Sequence, residues 1–251
     1  LDAKTGNSIK QISMLSNGIP KQPRFVEFHN GKVFVPCFDG YVDVIDTISL
    51  EVIQRIQVGS NPDGIHKVND QLFVANSGGL NYPNVDSTLS VIDPVSMTEV
   101  GRIVVGKNPT RIQSDANGDI YVITQTGLNT LNSQLVKVDH QTLSVETIYP
   151  LQVNRMERIG ANFLLYISSG NTSSIQLFDP LTGSIVNPNF MDAGLFTTFY
   201  GAQYDSGRNQ IYCFDAMGYV NSGYIRIFSS NGTHLKNIKV GLNPSKLLIY
   251  E

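Results

Sequence analysis

A short turn-like sequence recurs along this chain at a fixed spacing. It is Val58-Gly-Ser-Asn-Pro62 at its first occurrence, and it returns as Val105-Gly-Lys-Asn-Pro109 and as Val240-Gly-Leu-Asn-Pro244. Pro62 and Pro109 are 47 residues apart, and Pro244 follows 135 residues after Pro109, which is three steps of 45. A fixed period in this range indicates a repeat architecture in which each repeat is one supersecondary unit.

A second sequence marker has nearly the same period. An apolar residue followed by Asp stands before a set of turn residues, and these aspartates are Asp2, Asp46, Asp93, Asp139 and Asp179. Ser229 takes the place of Asp in a sixth copy. We predict that Asp46, Asp93, Asp139 and Asp179 are structural, because a carboxylate in this position can accept backbone N–H groups of the turn that follows.

Each repeat predicts four short strands, named a to d in chain order. The strands are runs rich in Val, Ile, Phe and Tyr, and turn residues separate them. In the first complete repeat the predicted strands are Pro23–Asn30, Lys32–Phe38, Tyr41–Asp46 and Glu51–Val58. The fourth repeat is degenerate and has only Ser184–Val186 as a weak strand d. No helical periodicity of any length is present.

The two ends of the chain carry parts of a repeat. Leu1–Ile12 predicts the end of a strand c and a strand d, and Ser245–Tyr250 predicts a strand a. Complementary partial ends around complete four-stranded repeats are typical of a β-propeller closed by shared strands. We therefore predict a single all-β domain over residues 1–251, a β-propeller of four-stranded blades, seven-bladed when intact, with six blades as the alternative. We also expect residues upstream, because the chain begins inside a repeat.

Composition and charge exclude several classes of protein. A hydrophobic content of 41% with 16% charged residues is typical of a folded chain. The net charge of −3 argues against a nucleic-acid partner, and no apolar run approaches the roughly 18 residues of a membrane span. Cys37 and Cys213 are predicted to be buried small apolar residues. No metal site or cofactor is predicted, because metal-ligand spacing is absent among His29, His66, His140 and His234.

The second repeat resembles a known family. Its segments are similar to the repeat of Tyr-Val-Thr-Asn (YVTN) propellers, which are often named for surface-layer proteins. The segments are Pro62-Asp-Gly-Ile, Leu72-Phe-Val-Ala-Asn76, Leu89-Ser-Val-Ile-Asp93 and Ile103-Val-Val-Gly106. The resemblance covers nearly the whole chain and fades in the fourth repeat, which no Val-Gly-x-Asn-Pro turn precedes. It implies a seven-bladed propeller.

Two longer segments resemble one branch of that family. They are Ala75-Asn-Ser-Gly-Gly-Leu-Asn-Tyr-Pro83 and Ile211-Tyr-Cys-Phe-Asp-Ala-Met-Gly-Tyr-Val-Asn-Ser-Gly223. They are similar to exported lipoprotein propellers of Gram-negative bacteria, a branch that includes the corrinoid-capturing partner of the outer-membrane cobalamin transporter. The resemblance implies a small-molecule ligand, with a corrinoid as the candidate, and a TonB-dependent outer-membrane transporter as partner. It also implies export to the cell surface or periplasm, with a lipid anchor upstream of Leu1.

Strand direction assigns the connections to two edges of each sheet. Because the strands alternate in direction, the b–c and d–a connections lie at one edge, and the a–b and c–d turns lie at the other. The long loops are b–c connections, and long loops on one face of a rigid scaffold are the expected binding surface. Candidate ligand residues in them are Asn81, Tyr82, Asn129, Tyr219 and Asn221, since rings stack and amides exchange hydrogen bonds. The alternative is that these residues serve turn geometry and cover the blade tops.

Four cations stand at or near the start of strand a in four different repeats. They are Arg24, Arg111, Arg155 and Lys246. Strand a is the innermost strand of a propeller blade, so these side chains are predicted around the mouth of the channel. A basic ring there would favour a ligand phosphate or carboxylate. The alternative is ion pairing with neighbouring blades, for example with Asp63 or Glu157.

Three functions follow from these features. The favoured one is non-catalytic capture of a small molecule on the loop face. The second is a lactonase or lyase at the channel mouth, which needs a general base or a metal, and only His66, Asp63 and Glu157 are candidates for that role. The third is an adhesion or protein-interaction scaffold, against which the polar loop face argues.

Overall fold

The computed structural model describes residues 1–125, 133–169 and 172–249. The chain forms two compact units, Leu1–Pro150 and Leu151–Glu251. Within the described ranges there are five four-stranded antiparallel sheets, three in the first unit and two in the second. In every sheet the four strands are hydrogen-bonded in chain order, which is the meander that forms a blade of a β-propeller. The prediction of an all-β chain of four-stranded blades is confirmed, and the described blades number five rather than seven or six.

The first unit begins with a short hairpin and continues with three sheets. The hairpin consists of β1 (Leu15–Ser16) and β2 (Ile19–Pro20). The first sheet consists of β3 (Glu27–His29), β4 (Lys32–Cys37), β5 (Tyr41–Asp46) and β6 (Glu51–Gln57). The second consists of β7 (Pro62–Val68), β8 (Gln71–Asn76), β9 (Thr88–Asp93) and β10 (Thr98–Val104), with a 3₁₀ turn at Gly79–Asn81. The third consists of β11 (Ile112–Ser114), β12 (Ile120–Gln125), β13 (Ser133–Asp139) and β14 (Ser144–Tyr149).

The second unit contains two sheets. The fourth sheet consists of β15 (Val153–Ile159), β16 (Asn162–Ser169), β17 (Thr172–Asp179) and β18 (Ser184–Met191). The fifth consists of β19 (Phe199–Asp205), β20 (Gln210–Asp215), β21 (Ser222–Ser229) and β22 (His234–Leu242). Short 3₁₀ turns lie at Ala193–Leu195 and Met217–Tyr219. Among the described residues, no helix is long and apolar enough to cross a membrane.

The sheets of the first unit pack face to face and bury apolar side chains on both faces. In β8, Leu72 and Val74 pack with the first sheet, whereas Phe73 and Ala75 pack with the third. Because successive side chains of a strand point to opposite faces, a strand that is buried on both faces must be a continuous apolar run. For this reason, the continuous apolar runs of the sequence predict the positions of the buried strands closely.

Two predicted strands differ in length from those in the structure. Strand a of the first complete repeat is reduced to β3, because Pro36 of the neighbouring β4 has no N–H to donate. Pairing beyond β3 consists of a bridge between Pro23 and Cys37 and of hydrogen bonds from Arg24 N to Pro36 O at 2.9 Å and from Phe38 N to Gln22 O at 3.2 Å. Conversely, β18 extends well beyond Ser184–Val186, with register shifts opposite β17.

The strands predicted at the two ends of the chain are wrong. Residues 1–14 contain no strand, and Ile12 and Met14 instead pack against the first sheet. The described residues 245–249 also contain no strand; the side chain of Gln203 bonds to Leu247 O at 2.8 Å and to Leu247 N at 3.3 Å. A strand needs backbone partners on a neighbouring strand, and none of the described strands provides them to these segments.

The aspartate that ends strand c holds the turn to strand d. Asp46 Oδ1 accepts hydrogen bonds from Ile48 N at 3.0 Å and Ser49 N at 2.8 Å. Leu50 N bonds to Asp46 O at 2.9 Å, and Leu50 takes a φ of 56°. The same use of the side chain occurs in four other turns, at Asp2, Asp93, Asp139 and Asp179. The predicted structural role of Asp46, Asp93, Asp139 and Asp179 is confirmed.

Replacing Asp46 should destabilise the protein through this turn. Asp46→Ala removes the acceptor of two backbone N–H groups, and we expect the melting temperature to fall by about 2–4 °C. Asp46→Asn keeps an oxygen acceptor, so its melting temperature at neutral pH should lie between those of Asp46→Ala and the wild type. Differential scanning calorimetry measures both shifts.

The pH dependence separates the charge of Asp46 from its geometry. The hydrogen bond from Ser49 N, followed by that from Ile48 N, lowers the pKa of Asp46 from its ordinary value of 3.8. A carboxylate with a lowered pKa stabilises the fold above its unfolded pKa and loses that contribution as the pH falls through its folded pKa. The difference between wild type and Asp46→Asn should therefore shrink below pH 3.8. A difference that stays constant throughout an acid titration would contradict this assignment.

Candidate functional site

The recurring Asn-Pro sequence forms the d–a connections. Asn61, Asn108 and Asn243 each precede a proline, and their φ angles are 44°, 48° and 51°. Asn tolerates this left-handed region better than most residues, and the proline that follows has a fixed φ. The repeat marker of the sequence is therefore a backbone requirement of this turn.

The side chain of Asn61 ties together three connections at one edge of the sheets. Its Nδ2 donates to Phe38 O at 2.8 Å, in the b–c turn of the first sheet, and its Oδ1 accepts from Leu80 N at 3.1 Å, in the b–c loop of the second. Ser77 Oγ donates to Asn61 O at 2.7 Å. We name this edge, which carries the b–c and d–a connections, the loop edge.

Gly59 allows the connection to approach two side chains of the second sheet closely. A Cβ at this position would lie 2.5 Å from Cγ of Asn76 and 2.6 Å from Oδ2 of Asp86. Asn76 Oδ1 accepts from Gly59 N at 3.1 Å, and Asp86 Oδ2 accepts from Ser60 N at 2.9 Å. These hydrogen bonds fix the position of Ser60.

A pocket of about 510 Å³ opens between these connections, and we name it the loop-edge pocket. The ring of Phe38 and the polar side chains of Tyr41, Gln57, Ser60 and Asn81 line it. Among the described residues, none of these four polar side chains has a hydrogen-bond partner within the protein. Side chains of this kind can donate and accept hydrogen bonds, so the pocket offers uncharged polar groups to a ligand.

The carboxylates that line the pocket already have partners within the protein. Asp39 lies 2.5 Å from Nη2 of Arg55, whose Nε lies 2.7 Å from the buried Asp43. Lys21 Nζ is 2.6 Å from Asp43, so a network of two cations and two carboxylates lies beneath the pocket. The guanidinium of Arg55 also covers one face of Tyr41, 4.2 Å from the ring centre.

The carboxylate of Asp86 accepts hydrogen bonds from backbone N–H groups. In addition to Ser60 N, it accepts from Ser87 N at 2.6 Å and from Thr88 N at 3.1 Å. The hydroxyl of Thr88 also donates to it, at 2.8 Å. The pocket cation, Arg102, is paired with Glu99 through Nε at 3.0 Å and Nη2 at 2.8 Å. The pocket therefore presents charges that are matched within the protein.

Both predicted cations of the first unit lie on aromatic rings. The guanidinium of Arg24 is 4.5 Å from the ring centre of Phe38, and its Nε donates to Asp63 at 3.0 Å. The guanidinium of Arg111 is 4.2 Å from the ring centre of Phe25. The pair of Arg24 with Asp63 is the neighbouring-blade ion pair that the sequence offered as the alternative to a basic ring. Through Phe38, Arg24 borders the loop-edge pocket.

In the second unit, Arg155 and Tyr219 meet at one intermediate ring. Arg155 lies 5.8 Å from the ring centre of Tyr200 and donates through Nε to Tyr200 O at 3.2 Å. The rings of Tyr200 and Tyr219 are 5.7 Å apart in an edge-to-face contact. Asn221 and Lys246 are exposed and make no hydrogen bond or ion pair through their side chains with any described residue.

The remaining predicted ligand residues have different outcomes. Tyr82 is 52% exposed, next to Asn81, and does not line the loop-edge pocket. Its peptide bond to Pro83 is cis. Asn129 lies outside the described residues. Asn81 is the one predicted residue among those described that lines the loop-edge pocket.

Sequence reasoning missed Tyr41, Gln57 and Ser60. Loop length was the criterion for a binding residue, and these three residues belong to short connections or to the strand ends beside them. The signal that could have found them is topological: a short b–c turn and the next d–a turn lie at the same edge. The Asp39-Gly40 turn of the first repeat and the Asn61-Pro62 turn meet in this way.

The residues considered for catalysis have structural partners. Asp63 binds Arg24, and His66 Nε2 lies 3.0 Å from Ser114 Oγ. Glu157 belongs to the second unit. In the described ranges, no group of three or more His, Cys, Asp or Glu side chains is arranged to hold a metal ion.

Both cysteines are buried free thiols, as predicted. Burial, followed by the neighbouring carboxylates of Asp43 and Asp39, raises the pKa of Cys37 to about 12. Burial also raises the pKa of Cys213. Both side chains are therefore protonated at neutral pH, and thiolate chemistry plays no part in either place.

No protein-family model matches the sequence. No curated protein matches it either. Solved structures share its fold. Hydrazine synthase of Kuenenia stuttgartiensis is similar with a TM-score of 0.66 and 14% identity over 95% of this chain and 69% of that one. The computationally designed Ika8 protein is similar with a TM-score of 0.61 and 11% identity, and the match covers 94% of this chain and 67% of that one.

A third similar structure is the dihydro-heme d1 dehydrogenase NirN in complex with DHE, with a TM-score of 0.60 and 13% identity. The match covers 87% of this chain and 47% of that one, so the chain spans about half the length of NirN. At these identities the similarity shows the fold alone. Together with the sheets, it shows an all-β propeller with four-stranded blades.

Replacing Asn61 with Gly should measure the contribution of its side chain to the loop edge. Asn61→Gly keeps the left-handed backbone accessible but removes two hydrogen bonds, so we expect a loss of about 1–3 kcal/mol in the free energy of unfolding. Chemical denaturation gives this value. The matched control is Asn108→Gly, because Asn108 has a φ of 48° and its side chain makes no hydrogen bond with any described residue. Equal losses in the two variants would show that the backbone alone determines the effect.

Proposed function

We propose that this protein is a non-catalytic binding protein that captures a neutral small molecule in the loop-edge pocket. The observation that carries this proposal is a set of four uncharged polar side chains that make no hydrogen bond with any described residue, at Tyr41, Gln57, Ser60 and Asn81. They line one pocket of about 510 Å³, within the 300–1,000 Å³ range that is common for small-molecule sites. Hydroxyl and amide groups of a ligand would complete their hydrogen bonds.

The charges of the pocket favour an uncharged ligand. A cationic ligand would compete with Arg55 for Asp39 and with backbone N–H groups for Asp86. An anionic ligand would have to separate Arg102 from Glu99. Breaking a matched pair leaves the remaining charge without its partner, and that cost reduces the net gain from a new pair. A neutral polyol or amide avoids this exchange.

Saccharides and corrinoids are two ligand types that carry hydroxyl or amide groups around a broad face. A corrinoid carries amides around its rim, and the edge of such a ring would present them to Gln57 and Asn81. The cobalamin capture suggested by the sequence resemblance is therefore the specific form of this proposal. The pocket volume fits such an edge rather than the whole molecule.

The proposed cellular role is based on the sequence resemblance to exported lipoprotein propellers. We propose that the protein is exported, held at the cell surface or in the periplasm by a lipid anchor, and passes its ligand to a TonB-dependent outer-membrane transporter. A seven-bladed intact form belongs to this proposal. Its support is the similarity of Ala75–Pro83 and Ile211–Gly223 to the exported lipoprotein branch.

Calorimetry with the purified protein tests the ligand class. We expect cyanocobalamin or a member of a panel of neutral disaccharides to bind with a dissociation constant of tens of micromolar or tighter, about −6 kcal/mol or better. Asn81→Ala and Gln57→Ala should each weaken binding by about tenfold, because each removes one hydrogen-bonding side chain. Retention of coloured cyanocobalamin on a desalting column provides an independent readout.

Asn189→Ala is the matched control for Asn81→Ala. Asn189 is exposed in the second unit, and its side chain makes no hydrogen bond with any described residue. This variant should bind like the wild type. Saturable binding that neither Asn81→Ala nor Gln57→Ala weakens would place the ligand elsewhere. Absence of binding by both ligand classes to a folded protein would overturn the proposal.

A further inference from the structure

A second pocket lies at the opposite edge of the sheets in the first unit. Its volume is about 240 Å³, room for about eight water-sized groups. It lies between the a–b turn of the second sheet, at Asn69 and Asp70, and the c–d turn of the third, at His140. We name it the turn-edge pocket.

One ring of this pocket is held in a fixed orientation. Nδ1 of His140 lies 3.0 Å from Oδ1 of Asp119, and the backbone N of His140 donates to the same oxygen. Oδ2 of Asp119 is 2.9 Å from Nζ of Lys137, which also binds Glu146 at 2.8 Å. Burial opposes ionisation of Asp119, but hydrogen bonds from His140 and Lys137 outweigh it and lower the pKa of this carboxyl.

The orientation of His140 defines which ring nitrogen faces a ligand. An ionised Asp119 can only accept a hydrogen bond from Nδ1–H, so a neutral His140 carries its hydrogen on Nδ1 and has a lone pair on Nε2. Nε2 has no hydrogen-bond partner among the described residues. The fixed ring therefore offers an acceptor to the pocket.

The other polar side chains of the turn-edge pocket are also without partners. Asp70 makes no ion pair with any described residue, and the amides of Asn69 and Gln71 make no side-chain hydrogen bond with any of them. The apolar part of the lining consists of Val68 and Phe73, which are almost fully buried. The pocket thus combines an apolar floor with oxygen and nitrogen acceptors at its rim.

The local charge is negative. Lys137 is the cation of the cluster, and it is matched by both Asp119 and Glu146. Asp70 adds a further negative charge at the rim. A carboxylate or phosphate would be repelled by Asp70, and two potential metal ligands, His140 and Asp70, are too few to form a closed metal site.

We infer that the turn-edge pocket binds a small primary ammonium compound with an apolar body. The ammonium group would donate to Asp70 and to Nε2 of His140, and the body of the compound would lie against the pocket floor at Val68 and Phe73. A primary ammonium has three N–H donors, which suits a site that consists of acceptors. This site is separate from the loop-edge pocket and does not depend on the function proposed for it.

The test uses 2-phenylethylamine as the probe, with 2-phenylethanol as its neutral analogue and phenylacetate as its anionic analogue. Binding at neutral pH is followed by calorimetry and by the NMR signals of the His140 ring, assigned with His140→Gln. We expect saturable binding of the amine, at least about fivefold weaker binding of the alcohol, and no binding of the anion.

Asp70→Asn should weaken amine binding by about fivefold or more while leaving the melting temperature unchanged, because Asp70 is exposed. Asp192→Asn is the matched control, since it makes the same charge change in the second unit. It should bind the amine like the wild type, as should Asn81→Ala in the other pocket. Equal affinity for amine and alcohol, or an undiminished affinity in Asp70→Asn, would overturn the inference. So would the absence of any saturable amine binding to the folded protein.

Discussion

Burial of both faces of a sheet is the constraint on which the first unit depends. β8 contacts the first sheet through Leu72 and Val74 and the third through Phe73 and Ala75, so neither face of this inner strand is available to solvent. The buried inner strands therefore leave polar side chains for recognition at the sheet edges, where the chain turns. Both pockets described for this unit lie at those edges, one at each. The packing of the sheets thus determines where binding can occur.

At the loop edge, side chains hold the connections where the strand ladder has ended. Asn61 binds Phe38 O and Leu80 N, and in the fifth sheet Asp215 accepts from Thr198 N at 2.9 Å. Asp215 ends its strand b just as Asn76 does in the second sheet, and each holds the preceding d–a connection. Connections fixed in this way present neighbouring side chains at constant spacing. A preformed site loses less conformational entropy on binding than a mobile loop does.

The period of the sequence markers predicted the sheets well for a physical reason. The bounds of β5, Tyr41–Asp46, could be derived because a strand buried on both faces is a mainly apolar run between turn residues. The end segments could not be derived, since a strand requires a partner that its own sequence does not reveal. Tyr41 and Gln57 were missed because their pocket exists only where connections of two sheets meet. The pairing of Arg24 with Asp63, 39 residues further along, could be offered from the sequence only as the alternative to a basic ring, because the sequence does not show which carboxylate lies within reach.

The two pockets differ in whether their carboxylates are paired within the protein, which the net charge of −3 does not show. At the loop edge, Asp39 and Asp86 are matched by Arg55 and by backbone N–H groups, so an added cation would meet occupied oxygens. At the turn edge, Asp70 has no such partner among the described residues, so an ammonium group gains an attraction that a neutral alcohol does not. A charge is selective for a ligand only where the protein has left it unmatched. In the two proposed sites, selectivity would therefore follow from the pairing of the carboxylates rather than from their number.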